Sequence, residues 1–454
     1  MTDPTTSRTG DEVEEAGEGV GGGAGEALVH RGDEATVVDD LDEAQTVVAA
    51  IEPDALASPR RSRIVVVPLL AALLFFFGPA VSFLFGDRPE EIDNRPLAAM
   101  PSATQGWSFF PEFTAWANDH LPLRSHAVRS GTDLSEALFA EPPDYGQAAA
   151  PDGVLYPRVI RGSDGWLYFG GDVSGACNPQ LTVDEIVRSL ERLHTAIEAS
   201  GRTLVLAIVP DKSTMVPEHL PDQYAGERCA TERRDALWAG LASARLPLID
   251  MRAPLRQAQQ RTGATLYRKT DSHWTPQGAS VLAEQVVARL DPAMLASGTG
   301  PFVEGRDIQL RGDLGAMLGT PTTDQTVEIS VERPGVTLSV DGRPVEPTDL
   351  PGLRPQPVVI DGSSTGAPLI PGRTAALGDS FFASARPLFA PFFDELWLVH
   401  NQSDPGMLAQ LIVDSDTVVV ELVERSVAAG GATLTTPAAV EVIEQALADA
   451  PPRP

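Results

Sequence analysis

The sequence predicts an α/β protein: a doubly wound parallel sheet with a mostly β insertion, preceded by one transmembrane helix and a disordered tail. Three observations lead there. Short apolar runs recur through the second half of the chain with helix-like stretches between them, as parallel strands and their crossovers require. A single uncharged run, residues 64–86, stands near the N-terminus. Residues 296–372 break the rhythm with Pro, Gly, Thr and Asp around alternating pieces such as "VEISVE" and "VTLSV". At 454 residues the chain has room for two or three domains and a large core.

Taken in order, residues 1–59 hold fifteen acids, two arginines and a glycine run. That composition buries too little apolar surface to offset chain entropy, so a disordered acidic tail is expected. Residues 60–86 read as a transmembrane anchor. The run "IVVVPLLAALLFFFGPAVSFLFG" reaches roughly 35 Å as a helix, against a hydrocarbon core of about 30 Å. Arg60, Arg61 and Arg63 precede it and Asp87 and Glu90 follow, which places the tail in the cytoplasm and residues 87–454 outside the cell membrane. A cleaved signal peptide is the first alternative, but the run is long for one and no A-x-A site ends it. A buried core helix is the second, and it is rarely so uniform.

Residues 87–150 read as a juxtamembrane stalk and helix, with "FPEFTAWANDHLPLRSHAVR" at roughly helical spacing. Residues 151–426 carry the α/β domain. "GSDGWLYF" gives a turn and a short aromatic strand. Thr182 and Glu185 have capping-box spacing, and Ile186, Leu190, Leu193 and Ile197 share a helical face. "TLVLAIV" at 203–209 is a buried-strand run, followed by "LPLID", "TAALGDS", "LWLVH" and "TVVVELV", for a sheet of about five strands. Residues 427–454 close the chain as a C-terminal helix and tail.

Sixty-three acids against 34 bases exclude nucleic acid as the expected partner. The same balance fits poorly with a strongly anionic glycan and favours a neutral or mixed polymer. The two cysteines, Cys177 and Cys229, fall in polar stretches of the part assigned to the outside, and point to one disulfide; two buried free thiols are the alternative. No metal or cofactor is expected. Asp-x-His alone supplies too few ligands for zinc, and His194, His219 and His400 stand apart.

Two loops carry the chemistry. In "LGDSFFAS" a strand of small apolar residues ends in Gly-Asp-Ser and a helix begins. Ser380 there projects at the carboxyl end of a sheet, against a helix N-terminus whose free N–H groups suit an oxyanion. A serine hydroxyl needs a base. His273 in "KTDSHWTPQGAS" is the candidate, with Asp271 to orient its ring. The loop follows the strand-like "TLYRK" and precedes Thr275-Pro276, an N-cap with proline at the first helical position. Taken singly, each piece is more often a turn or a cap.

Asn401, after "LWLVH", is a candidate oxyanion donor or a plain strand-end cap. Lys212 is a candidate for meeting an acidic sugar or a solvated loop lysine. Tyr267 and Arg268 are candidates to line the pocket. Trp274 is a candidate to stack on a sugar ring or to pack under the loop.

The Gly-Asp-Ser elbow with an Asp and His pair resembles the SGNH hydrolase superfamily. The order here is reversed, since Asp and His precede Ser. "TDSHWTPQGA" followed by "LGDSF" resembles the alginate O-acetyltransferase family, the AlgJ and AlgX proteins, and "DNRPLAAMP", "NDHLPLR", "GSDGWLYF", "VPDKSTMVPEHLP", "RGDLGAML" and "VVVELVERS" agree over roughly residues 90–426. With no further carbohydrate-binding module, the membrane-anchored AlgJ type is the nearer match; the long acidic tail departs from it. The resemblance implies an SGNH-like domain transferring acetyl to an extracellular polysaccharide. Ser380 is then the nucleophile, His273 the base and Asp271 its orienter, with the acetyl delivered by a polytopic membrane acyltransferase. An esterase or deacetylase, or a non-catalytic glycan-binding assembly protein, are the competing readings.

Overall fold

A computed structural model describes residues 153–295 and 301–453 continuously, with 109–120, 148–149 and scattered residues between 68 and 106. The chain divides into two units, 1–70 and 71–454. The expected acidic tail, 1–59, lies outside the described residues, as does most of the expected anchor, 60–86. Among the described residues no helix is long and apolar enough to cross a membrane. Helix α1, Phe109–His120, falls in the stretch expected to be helical; Phe109 stacks on Phe113, and Trp116 on His120, along one side of it.

The main domain opens with the hairpin β1 (Val159–Arg161) and β2 (Leu167–Phe169), joined through the Ser163–Gly165 turn. Helix α2 (Gly171–Cys177) leads to α3 (Val183–Ala199), whose capping box forms as expected from Thr182 and Glu185. Ile186, Leu190, Leu193 and Ile197 on α3 are all fully buried, each contributing about 1.5–3 kcal/mol as an upper figure. There follow β3 (Thr203–Val209), the single turn α4 (Lys212–Met215), α5 (Glu227–Ser243), β4 (Ile249–Asp250), α6 (Arg252–Thr262) and α7 (Pro276–Leu290). The stretch expected to be a β insertion supplies β5 (Phe302–Arg311), α8 (Asp313–Met317), β6 (Thr323–Val331), β7 (Val336–Val340), β8 (Arg343–Val345) and β9 (Val358–Ser364). The chain ends with β10 (Ile370–Gly378), α9 (Ser380–Phe389), β11 (Phe393–His400), α10 (Pro405–Asp414), β12 (Thr417–Val423), α11 (Glu424–Ala428) and α12 (Pro437–Asp449).

Eight strands form the main sheet in the order β8-β7-β9-β11-β10-β12-β3-β4. The five from β11 to β4 are parallel to one another, matching the expected count. The wholly parallel sheet expected from the sequence is corrected at the other end: β9, β7 and β8 pair antiparallel, so the sheet is mixed. The cause is that half of the insertion does not leave the domain; β9 pairs with β11 from Val358↔Leu398 to Asp361↔Glu395 and extends the sheet, while β5 and β6 form a separate hairpin. "TLYRK" is also corrected. It is no strand, only an isolated bridge between Tyr267 and Trp274.

The connections fix where ligands can reach. From β10 the chain passes through α9 to β11 on one side, then through α10 back across β10 to β12 on the other. Right-handed crossovers running in opposite directions place α9 and α10 on opposite faces. The packing agrees: α10, α12 and α3 form one run of neighbours, α9, α7 and α6 another. The direction therefore reverses at the carboxyl end of β10, which is where open α/β sheets leave a crevice. Ser380 is two residues past that strand end.

Candidate active site

The elbow that carries Ser380 is built by sterics and capping. A Cβ at Gly378 would lie 2.4 Å from the Phe382 Cβ, so only glycine allows β10 to turn this tightly into α9. Asp379 is the N-cap; its Oδ1 accepts the Phe381 N–H at 2.9 Å, and its Oδ2 accepts the Val423 N–H at 3.1 Å from the end of β12. Ser380 is then the first residue of α9, with its hydroxyl at the helix N-terminus.

The second loop closes on itself. Arg268 N donates to His273 O at 3.1 Å and Thr275 N to Leu266 O at 2.8 Å, so residues 268–273 form a tight excursion between the bridge partners Tyr267 and Trp274. Thr275 caps α7 by accepting the Gly278 N–H, with Pro276 as the first helical residue, as the sequence implied. Lys212 holds the excursion from inside. Its ammonium is buried and donates to the carbonyl oxygens of Arg268 at 3.0 Å and Asp271 at 2.5 Å, with Lys269 at 3.4 Å. Burial pushes the Lys212 ammonium down to about 8, while Asp313 and Asp271 pull it up.

These two loops meet. His273 Nε2 lies 2.8 Å from Ser380 Oγ, and His273 Nδ1 lies 2.8 Å from Asp271 Oδ1. A carboxylate only accepts, so Nδ1 carries the proton and Nε2 presents its lone pair to the serine O–H. Asp271 is held on all sides: Oδ1 also accepts the His273 backbone N–H at 2.9 Å, and Oδ2 accepts Arg268 Nη1 at 2.7 Å and the Asp313 N–H at 3.1 Å. Burial alone would raise this carboxyl; the bonds with His273 and the Arg268 charge outweigh it and bring Asp271 down to about 2. The imidazole packs against the ring of Phe381, with centroids 4.9 Å apart and the planes tilted by 50°.

Sequence reasoning missed Asp313, at the start of α8. Its Oδ1 accepts the Ser272 N–H at 2.7 Å, its Oδ2 accepts the Ser272 hydroxyl at 2.5 Å, and Oδ2 stands 3.6 Å from His273 Nδ1. A Cβ at Gly312 would strike the Thr270 carbonyl at 2.3 Å, so glycine is what lets α8 press against the loop. The available signal was "RGDLGAML", which spacing alone does not tie to a site 40 residues earlier. Asp271, His273 and Asp313 form the single group of three potential metal ligands among the described residues. Both Asp271 oxygens and His273 Nδ1 are already engaged in the hydrogen bonds above.

The remaining candidates occupy structural positions, which for Trp274 and Asn401 is the alternative the sequence already offered. Tyr267 is buried and its hydroxyl donates to Pro210 O, so it supports the loop rather than lining a pocket. Arg268 faces Asp271, and its other nitrogen donates to Arg311 O. Trp274 is 1% exposed, donates to Ser384 Oγ at 2.6 Å and meets Phe381 edge-on, so it packs under the loop and does not face a sugar. Lys212 is neither solvated nor free to meet an acidic ligand, because its donors are spent on backbone carbonyls. Asn401 is buried one residue past β11; its backbone N–H donates to Gly378 O and its amide to Glu421 O at 2.9 Å, the work of a strand-end tie.

Beneath Phe381 lies a buried ionic group. Arg425 sits 5.1 Å from the Phe381 ring, donates to Asp211 Oδ1 at 2.9 Å and lies 3.7 Å from Asp172 Oδ1. Burial raises Asp172 to about 6 against the pull of Arg425. Cys177 and Cys229 form the expected disulfide, though not between polar loops: it joins the end of α2 to the first turn of α5.

Residues 159–369 match a family model described as "SGNH hydrolase-like domain, acetyltransferase AlgX". That range includes Asp271 and His273 and stops before Ser380. The chain is 31% identical over 173 residues to a "Probable alginate O-acetylase AlgJ" of Pseudomonas syringae pv. tomato, covering 38% of this chain and 40% of that protein. It is 29% identical over 233 residues to the protein of the same description in Pseudomonas aeruginosa, covering 49% of this chain and 52% of that one. It therefore spans about half or less of these curated relatives. Among solved structures, the O-acetyltransferase domain of Pseudomonas putida AlgJ aligns over 60% of this chain and 93% of its own at 21% identity and a TM-score of 0.39. Bacillus cereus PatB1 aligns over 59% and 96% at 14% identity and a TM-score of 0.42.

Proposed function

We propose, from a chain that is AlgJ/AlgX-like in sequence, that this protein is an O-acetyltransferase of an extracellular or cell-wall polysaccharide, working through an acyl-serine. The observation that carries the reading is the continuous hydrogen-bonded chain from Ser380 Oγ through His273 to Asp271, 2.8 Å at each step.

In this reading His273 Nε2 takes the Ser380 proton as Oγ bonds to the acyl carbon of the donor, and the imidazolium returns that proton to the leaving group. Asp271 stabilises the imidazolium and keeps the ring's tautomer. In the second half, a sugar hydroxyl gives its proton to Nε2 and attacks the acyl carbon; the bond to Ser380 Oγ breaks and the imidazolium returns that proton to Oγ. The positive end of α9 faces the developing oxyanion, although the Phe381 N–H is already held by Asp379 Oδ1. No metal or cofactor takes part. The run at 64–86 anchors the protein in the cell membrane with residues 87–454 outside, close to a polytopic acyltransferase that supplies the acetyl group. Residues 87–454 hold 48 acids against 29 bases, and that excess favours a neutral or mixed polymer as acceptor over a strongly anionic one.

The test is incubation of the full-length chain with an aryl acetate, with and without neutral and acidic oligosaccharides. Mass spectrometry is expected to find acetyl on Ser380 and then on sugar. Release of free acetate alone, whatever sugar is offered, replaces the transferase by an esterase; glycan binding without any acyl chemistry leaves a binding protein.

A further inference from the structure

Central strands of a parallel sheet are built from apolar residues, and β12, "TVVVELV", departs from that beyond its first residue only at Glu421. Glu421 is fully buried between β3 and β10, opposite Ala207 and one residue past the Leu377↔Val420 pair. Its position gathers three strand ends. Its Oε2 accepts the Asp379 N–H at 3.0 Å, where the ladder to β10 has stopped. Its main-chain carbonyl accepts the Asn401 amide at 2.9 Å, and Asn401 N–H in turn donates to Gly378 O at 2.9 Å. One residue thus ties the nucleophile elbow to the end of β11.

Its other oxygen, Oε1, is buried and receives no N–H. The neighbouring Asp379 carboxylate already accepts two backbone N–H groups, from Phe381 and Val423. Those two N–H groups stabilise negative charge on Asp379, and a second carboxylate beside it in a buried site is disfavoured, so the proton is favoured on Glu421. Burial first, and then the Asp379 charge, push the Glu421 carboxyl well above its usual range.

We propose that Glu421 is a positioning residue for Ser380, a neutral carboxylic acid at the end of β12 that clamps Asp379 at the N-cap of α9 and so aims the serine hydroxyl at His273. The proposal rests on the reading of Ser380 as the nucleophile.

The test compares the full-length protein with Glu421→Gln, which keeps an acceptor and a donor without charge, and Glu421→Leu, which keeps neither. Two rates are read: labelling of Ser380 by an aryl sulfonyl fluoride, and kcat and KM for an aryl acetate. Glu421→Gln is expected within about threefold of wild type in both, and Glu421→Leu about 10- to 100-fold slower in labelling and kcat, with KM within about twofold. A folded Glu421→Leu that labels at the wild-type rate overturns the proposal, as does a Glu421→Gln as slow as Glu421→Leu. Should Glu421→Leu fail to fold, Glu421→Asp shortens the reach by one methylene, and a wild-type kcat there overturns it equally. A wild-type protein inert to both reagents removes the nucleophile and the proposal together. Labelling that depends on Glu421, with no transfer to any sugar, upholds the proposal and removes only the transferase.

Discussion

The ammonium of Lys212 donates to the carbonyl oxygen of Asp271 at 2.5 Å, from a position that is itself 1% exposed. Lys212 opens α4 just beyond β3, so the strand between β12 and β4 holds, through one side chain, the loop that carries Asp271. Burying a charge in this way is tolerated because backbone oxygens surround it.

Lys212→Met keeps the stem and removes the donors. The carbonyls of Arg268 and Asp271 are then left without their partner, which costs about 1–3 kcal/mol each where no water enters. Denaturant unfolding is expected to show a loss of about 3 kcal/mol, and kcat to fall with it because Asp271 is freed. A variant with unchanged stability refutes the role assigned to this side chain.

Ser380→Ala removes the hydroxyl from a helix N1 position that needs no side-chain bond for its fold. Turnover of an aryl acetate is expected to fall by about 10⁴-fold or more, with the melting temperature nearly unchanged. Comparable residual turnover would sink the acyl-serine account.

The fold was legible where physics is local. The five apolar runs became the five parallel strands because parallel strands are buried on both faces, and α3 formed where the capping box and the 3.6-residue stripe coincide. The antiparallel extension by β9, β7 and β8 was not legible, since the register of β9 on β11 is a long-range choice that alternation alone does not specify. In the site, Ser380 and His273 were legible from turn and cap chemistry. For Trp274 the packing alternative is the one the structure places, while the accessible readings of Lys212 and Tyr267 were not legible as buried, because a polar or aromatic residue beside a loop reads as accessible and here each satisfies a buried partner from another element. Asp313 and Glu421 reach the site only through tertiary contacts.

Asp271 gives a pH signature with a definite sign. Its carboxyl lies at about 2 in the folded chain, below its ordinary value of 3.8. The folded state therefore gains about 2 kcal/mol from the ionised group above roughly pH 4, and loses it as pH falls through about 2. The stability gap between wild type and Asp271→Asn, measured by denaturant unfolding, is expected to be constant above pH 4 and to close between pH 4 and 2. A gap that stays constant to pH 2 rejects the ion pairing of Asp271 with Arg268 and His273 as its source.

The Cys177–Cys229 disulfide closes a loop of 52 residues, for which chain entropy gives about 4 kcal/mol as an upper value. Reduction is expected to lower the unfolding free energy by about 2–4 kcal/mol. It frees α2, which carries Asp172 toward Arg425, so hydrogen exchange is expected to rise across 171–177 and 227–230 before the sheet opens. Uniform exchange on reduction counts against this local effect.

Asp313 offers the sharpest dissection of the site, because it touches both ends of the His273–Asp271 pair. Its N–H donates to Asp271 Oδ2, its carboxylate fixes Ser272, and Oδ2 stands 3.6 Å from His273 Nδ1, the nearest carboxylate to that nitrogen after Asp271. Asp313→Ala keeps the backbone bond to Asp271 and removes the carboxylate, so kcat alone is expected to fall modestly, by about 3- to 10-fold. Asp271→Asn alone is expected to leave more activity than the roughly 10⁴-fold loss typical of a wrong tautomer, because Asp313 supplies a second acceptor. The double variant is then expected to lose more than the two single losses multiplied, which a double-mutant cycle on kcat measures directly. Multiplicative losses would mean that Asp313 only braces Ser272 and never substitutes for Asp271.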